Sequence, residues 1–462
     1  MSNDASNTAA NTAANTDARS AEQAAAQSSI TAIGQGRVHV IRDDAEAIDV
    51  ATALAAAFAP GAALRDRERR LPVAELRQLR LSGLWGITVP REYGGAGVSY
   101  ATLARVFAIL SAADGSIGQI PQNHYFILEI IRHEGSEAQK KFFFERVLAG
   151  DHFGNALVEP DVRRPEDRKA SLRRDGEGYR VDVRKYYSTG ALFADWVPVA
   201  VADEEKRHFL AIYPRTAEGL RVIDDWASFG QRTTASGTVI ADNAWLKAEW
   251  LVPHSVNADH VKPVGPVGQI MHAAIDTGLA RAAFDATVAF IRRRNPKADD
   301  APPEAVWEED QLSIREIGDL AVSVHGSEAL LERAGLLIDR AYASALPADW
   351  TRAAIAVSEV RAASTHSALL ITNKLFELAG TRSTAPEHGL DRLWRDARTH
   401  TLHDPVRWRL FDVGNYYVND KVPLRRPKWA EQPNRPDEPK AMPEGPEPVT
   451  GEPPQPRLAA GL

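Results

Sequence analysis

The sequence predicts an α+β protein, with an N-terminal helical part, a middle antiparallel β part and a C-terminal four-helix bundle. Two changes of periodicity carry that reading. Apolar residues recur at helical spacing from Asp43 to Gly150, alternate from Asn155 to about Val261, and return to helical spacing from Val267 onward. The third observation is the length of the returning stripe. Ile317, Leu320, Ala321, Val324, Leu331, Ala334 and Ile338 lie on one face of a single long helix, the form that a bundle helix takes.

Taken in order, residues 1–36 are an Ala/Asn/Thr/Ser tract with almost no large apolar side chain. Such a tract cannot bury enough surface to offset its ordering entropy, so a disordered tail is expected. Residues 37–153 are read as the N-terminal helical domain. Ser136 and Gln139 there make a capping box ahead of Phe142, Phe143, Val147 and Leu148, and Gly83 marks a helix stop before Trp85. Residues 154–262 are read as a β-barrel-like domain, in which Tyr179, Val181 and Val183 face one way and Arg180, Asp182 and Arg184 the other. Trp196–Val201, His208–Tyr213 and Thr238–Trp250 are further strands between turn residues. The bundle is assigned to 263–422, with a second long helix from about Trp350 to Leu378. Residues 423–462 hold 11 of the 28 prolines, mixed with charge, and read as a Pro-rich disordered tail.

Composition bounds the chemistry. The 462 residues include no cysteine, which excludes disulfides, thiolate nucleophiles, Cys-ligated zinc and iron–sulfur clusters. A formal charge of −7 gives no electrostatic reason to expect nucleic acid or an anionic membrane as partner. No apolar run reaches the roughly 20 residues of a membrane span, and no leader pattern stands at the start, so a cytoplasmic location is expected. No Gly-x-Gly-x-x-Gly follows a strand, so no nicotinamide site is expected either. His400 and His403 are three apart, which on a helix would put them on one face. Partners for a metal are not apparent, and no metal is expected.

The segment Pro90–Gly97 (PREYGGAG), the helix Tyr100–Ala113 and the turn through Ser116 resemble the acyl-CoA dehydrogenase superfamily. Gly83–Gly97, Ser116–His124, Gly154–Pro160, Tyr187–Ala191, Asp224–Gly237 and Arg392–Val413 resemble its flavin-dependent monooxygenase branch, dibenzothiophene monooxygenase and the sulfur-acquisition oxidoreductases. The most specific of these is the RTHTLHDP stretch, Arg398–Pro405. An acyl-CoA-dehydrogenase-like fold is implied. So is a two-component reaction in which reduced flavin, supplied by a separate NAD(P)H-dependent flavin reductase, meets O₂ and oxidises a small organosulfur compound in sulfur acquisition. The alternatives are an FAD-dependent acyl-CoA dehydrogenase and a flavin-fold protein without turnover.

The resemblance also implies residue roles. A dehydrogenase keeps a carboxylate base near residue 403; imidazole at His403 suits proton transfer to activated oxygen near neutral pH, with His400 in support. Asp404 is either a base or a turn residue before Pro405. Asn155 and Thr189 are placed beside the flavin ring, although by themselves they read as a helix end and a strand cap. Trp226 is placed near the flavin, its alternative being an ordinary core tryptophan. Arg294, or alternatively Arg292, and Arg382 are candidates for the phosphate. The stretch Phe376–Arg382 lacks the Gln-Gly-Gly that serves the adenine half of FAD, which favours FMN. Gln119, Asn123 and His124 are expected to overlie the substrate. Dibenzothiophene monooxygenase has His and Tyr at the first two positions, so the smaller amides here argue for a small, polar sulfur compound. The apolar bundle implies a homotetramer or homodimer.

Overall fold

Caps and stops legible in the sequence set the first helices. In the computed structural model, which describes residues 37–159, 162, 167–255, 260–293 and 311–423, Asp43 opens α1 (Asp44–Phe58) by accepting from the Glu46 amide. Helix α2 (Ala62–Glu68) follows, and α3 (Val73–Ser82) ends at Gly83, whose φ of 80° is left-handed. A Cβ on Gly83 would lie 2.1 Å from the His39 carbonyl oxygen, so only glycine fits that stop. Next come α4 (Tyr100–Ala113), α5 (Gly115–Gln119), α6 (Pro121–Glu134) and α7 (Glu137–Leu148). The capping box of Ser136 and Gln139 is present at the start of α7. Its buried face is Phe143, Phe144 and Val147, while the expected Phe142 is partly exposed and packs near Trp250. The stretch Asp44–Glu68 is apolar and long enough to cross a membrane, with a hydropathy of 1.6. A turn at Ala59–Gly61 interrupts it, and Val50, Ala51, Leu54 and Phe58 lie in the protein's own core.

The middle part is two antiparallel sheets. One has the order β1 (Leu172–Asp175), β2 (Gly178–Lys185), β6 (Thr238–Lys247), β5 (Leu220–Ile223); the other pairs β3 (Trp196–Ala202), β4 (His208–Pro214) and β7 (Leu251–Pro253). A bulge between Val181 and Val183 breaks the β2–β6 register. Val181, Val197, Val199, Tyr213, Val239 and Leu246 fill a core between the sheets.

The chain closes with α8 (Val264–Arg293), α9 (Gln311–Ser344), α10 (Pro347–Ala379), α11 (Asp391–His400) and α12 (Arg407–Asn419). Helix α4 packs into this layer, because small residues admit it. A Cβ on Gly278 of α8 would meet the Ala108 carbonyl oxygen at 2.3 Å, and one on Gly335 of α9 would meet the Ala101 Cα at 2.4 Å. One hydrophobic core therefore runs through both helical parts. Both expected tails, but for Pro423, and Arg294 lie outside the described residues.

Candidate functional site

Three bundle elements bring the histidines together. Helix α11 ends at His400, and the His403 amide then bonds the His400 carbonyl at 3.0 Å in the turn that follows. The expected shared helical face is thus a helix end and a turn. His272, on α8, stands between the two: its ring centre is 5.2 Å from that of His400 and 3.9 Å from that of His403. His400 Nδ1 lies 2.5 Å from Asp276 Oδ1, and His400 Nε2 lies 3.1 Å from His272 Nδ1. The other Asp276 oxygen accepts from Arg361 at 2.7 Å and from the Thr365 hydroxyl at 3.0 Å.

Charge assigns the donors. Burial alone would raise the Asp276 carboxyl, yet contact with His400 and Arg361 outweighs it and holds the pKa below the ordinary range. Asp276 is therefore an acceptor, and His400 donates from Nδ1. Asp404 follows the same logic: Arg361 bonds it at 2.8 Å and Arg409 also bonds it, so it stays ionised far below the ordinary range despite burial. His403 has dense protein around it but keeps 46 % of its side chain accessible. The crowding lowers its pKa first, Asp404 draws it up, and His400 and Arg361 push it down, for a net lowering. The accessible ring tempers that lowering. Among the described residues no cluster suited to a metal ion exists.

A second strip is built by the loops of the β part. The Asn155 amide donates to the Tyr187 carbonyl at 3.1 Å, and its Oδ1 is buried with no partner. Thr189 Oγ1 lies 2.7 Å from Ser236 Oγ, which lies 2.7 Å from Thr234 Oγ1, and Thr234 bonds the Gln231 carbonyl at 3.1 Å. Gln231 carries the chain into the bundle, its amide donating to Asp396 Oδ1 at 2.6 Å and its side chain to the Gly115 carbonyl at 3.1 Å. A polar line thus runs from Thr189 to α11, the helix that ends in His400. Against the other side stands Ile120: a Cβ on Gly190 would meet its side chain at 3.3 Å. Neighbouring Gln119 has a buried, unpartnered Oε1, and the Ser188 hydroxyl is likewise buried and unpartnered.

One expectation is corrected here. The segment expected to overlie substrate is helical, spanning the end of α5 and the start of α6. His124 is fully buried; its Nε2 lies 2.8 Å from the Trp85 carbonyl, and its Nδ1 accepts from the Phe153 amide at 3.1 Å. Both ring nitrogens are used by backbone, so His124 braces α6. Gln119 and Asn123 are buried near that helix start.

Trp226 is not a core residue. It is half-buried, its indole N–H donates to the Gln231 carbonyl at 2.9 Å, and it lines an open cleft of about 730 Å³. Arg67, Arg69, Arg232 and Arg395 share that cleft with Phe229, Thr384 and Gly389. Arg69 is paired with Asp224 and Arg395 with Asp66. Arg232 has no carboxylate partner among the described residues. Arg382 is exposed in the Thr381–Thr384 turn, whose last residue lines the cleft, and Arg292 is exposed near the end of α8.

Sequence reasoning missed His272, Asp276, Arg361 and Tyr187. A histidine and an aspartate four apart in the otherwise apolar run from Ile270 to Ala274 and on to Leu279 was a readable cue, since that spacing stacks them on one helix face. Tyr187 is 61 % exposed beside Thr189, at a φ of 53°, edge-on to Trp226 with ring centres 6.2 Å apart.

Comparison with known proteins adds lineage to this geometry. Residues 44–151 match the acyl-CoA dehydrogenase N-terminal domain and residues 270–408 the acyl-CoA dehydrogenase C-terminal domain. Dibenzothiophene monooxygenase of Rhodococcus qingshengii is 30% identical over 399 residues, covering 82% of this chain and 95% of the relative. The probable FMNH2-dependent monooxygenase SfnC of Pseudomonas putida is 29% identical over 389 residues, covering 82% and 96%. Among solved structures, FMN-bound TdsC from Paenibacillus sp. A11-2 superposes with a TM-score of 0.76 at 27% identity, covering 82% of this chain and 98% of that one. Methanesulfinate monooxygenase MsuC from Pseudomonas fluorescens superposes at 0.75 and 27% identity, with the same coverage.

Proposed function

The chain belongs to the acyl-CoA dehydrogenase family, and from that premise we propose that it is the oxygenase component of a two-component flavin-dependent monooxygenase acting on a small organosulfur compound. The observation that carries the reading is the state of Asp404. A dehydrogenase needs a free carboxylate base to remove a weakly acidic α-proton. Here the carboxylate next to His403 is held by Arg361 and Arg409 and kept ionised, which makes it a weak base. The accessible ionisable group beside it is the imidazole of His403. Relatives named as monooxygenases of sulfur compounds support the same class.

The cofactor is FMN. The residues present fit it: the buried unpartnered Asn155 Oδ1, Ser188 Oγ and Gln119 Oε1 await polar partners, and the cleft beside Trp226 is lined with arginine. Asn155 and Thr189 would hold the ring, Trp226 would lie near it, and Arg232 or Arg382 would meet the phosphate. SfnC is named as FMNH2-dependent, and TdsC was solved with FMN. Reduced FMN, once bound, supplies the electrons that activate O₂. The protein's own part is to exclude water, to orient the sulfur compound past Gln119 and Asn123, and to hold a proton on His403. The absence of a nicotinamide fingerprint in the sequence supports a separate NAD(P)H-dependent reductase. Exposed Leu312, Val322 and Leu336 on α9 and Trp408, Phe411, Tyr417 and Val418 on α12 support a homodimer or homotetramer.

The test reduces FMN anaerobically, mixes it with protein and ¹⁸O₂, and offers sulfinates, sulfonates and sulfides in turn. One ¹⁸O atom in the sulfur product is expected. Complete return of the reducing equivalents as H₂O₂ with every compound, together with bleaching of bound flavin by an acyl-CoA, would establish the dehydrogenase instead.

A further inference from the structure

His272 and Asp276 are buried titratable groups that the reading above leaves unused, and both sit in a chain that ends beside His403. We propose that Asp276, His400 and His272 form a proton relay serving His403, with all three acting as positioning residues. The proposal rests on the monooxygenase reading for its purpose, but its geometry stands on its own.

The hydrogen-bond roles leave little freedom. Asp276 accepts from His400 Nδ1–H, so the neutral His400 ring has Nε2 free as an acceptor. His272 Nδ1 lies 3.1 Å from that atom and must therefore donate, which leaves His272 Nε2 as the acceptor. A proton arriving on His272 Nε2 moves the Nδ1 proton onto His400 Nε2. The two N–H bonds formed balance the one broken and the one proton taken up, and no electrons change hands. The charge then rests on His400, against the Asp276 carboxylate, one ring away from His403. The reverse shift returns it.

The surroundings suit this task. From α8 come His272 and Asp276, from α10 Arg361 and Thr365, from α11 His400, from the following turn His403 and Asp404, and from α12 Arg409. Asp276 and Asp404 are paired with Arg361 and Arg409, and Asp412 on α12 stands 4.0 Å from Arg409, so the fixed charges around the histidines nearly balance. His272 and His403 are in ring contact at 3.9 Å, so both cannot be charged at once. Burial, followed by His403 and His400, keeps His272 well below the ordinary histidine pKa, so the proton passes through it without resting there.

The experiment is a nitrogen-15 NMR titration of histidine-labelled, flavin-free protein from about pH 5 to about pH 8, the interval in which histidine ordinarily titrates. His400 is expected to keep its Nδ1 proton throughout, with a far-downfield resonance that Asp276→Asn abolishes, and His272 is expected as the Nδ1–H tautomer. His272→Gln can still donate to His400 but cannot take up a proton. It should bind FMN with unchanged affinity, lose about 10²-fold in oxygenated product per O₂ consumed, and flatten the pH profile of that ratio. A His272 carrying its proton on Nε2, or a His272→Gln variant with wild-type yield and pH profile, would overturn the relay while leaving the oxygenase reading intact. If no sulfur compound is oxygenated by the wild type, that reading fails instead, and the flavin-free spectra still decide the relay.

Discussion

Asp396 offers the most direct physical check on how the Gln231 loop is tied to the bundle. Its carboxyl is buried on α11, accepts the Gln231 amide at 2.6 Å, and has its pKa pushed up to about 7 from 3.8. Burial is the main cause; Arg392 and the Gln231 bond oppose it, and Asp66 and Asp114 add to it. A carboxyl raised in the folded state binds more protons there than in the unfolded chain between about pH 4 and pH 7, so stability falls as pH rises through that window. Three pKa units at 1.36 kcal/mol each give an upper bound of about 4 kcal/mol, lost in full above pH 7. Asp396→Asn keeps an oxygen to accept from Gln231 and removes the titration. At roughly 2 cal/mol/K of unfolding entropy per residue, a folded unit of this size changes its Tm by about 1 °C for each 0.8 kcal/mol. About two of those units, or about 2.7 kcal/mol, are lost between pH 5 and pH 8, so the wild-type Tm should fall by up to about 3 °C relative to the variant over that interval. Melting curves followed by circular dichroism at matched ionic strength measure it. Parallel pH dependences for the two proteins would refute the reasoning.

His403→Ala should still bind FMN, since imidazole is not a phosphate ligand, yet lose at least about 10²-fold in oxygenated product while H₂O₂ accumulates; product and peroxide assayed on the same sample check it. Gly230→Ala should loosen the loop from α11, because its Cβ would lie 1.9 Å from the Arg395 carbonyl oxygen. About 1–3 kcal/mol of stability should go with it, seen as a lowered Tm and weaker FMN binding. Light scattering at micromolar concentration should return the mass of a dimer or tetramer, and a monomeric mass would remove the assembly proposal.

What was legible from the chain alone was whatever short-range physics decides. The Gly83 stop, the Ser136 box and the strand at Trp196 follow from φ freedom, local hydrogen bonds and alternation, and the structure has each of them. His403 and His400 were visible because they are neighbours in sequence. His272 and Arg361 were not, because they come from helices far away along the chain and meet His400 and Asp404 only after α8 and α10 pack. His124 misled for the converse reason. A histidine in a polar-looking segment reads as a ligand until the fold reveals two backbone partners for its ring.

That asymmetry bears on the chemistry. Single residues matched to a family pattern mark where a site lies, while its proton economy depends on partners at long range. Here those partners neutralise each other, Asp276 and Asp404 against Arg361 and Arg409. Asp404 is tied up by two arginines, while His403 keeps an accessible imidazole. The neutral His403 imidazole offers both an N–H donor and a ring-nitrogen acceptor, whereas an ion-paired carboxylate only accepts. The change of chemistry within one fold thus needs no new element, only the capture of one carboxylate by two arginines.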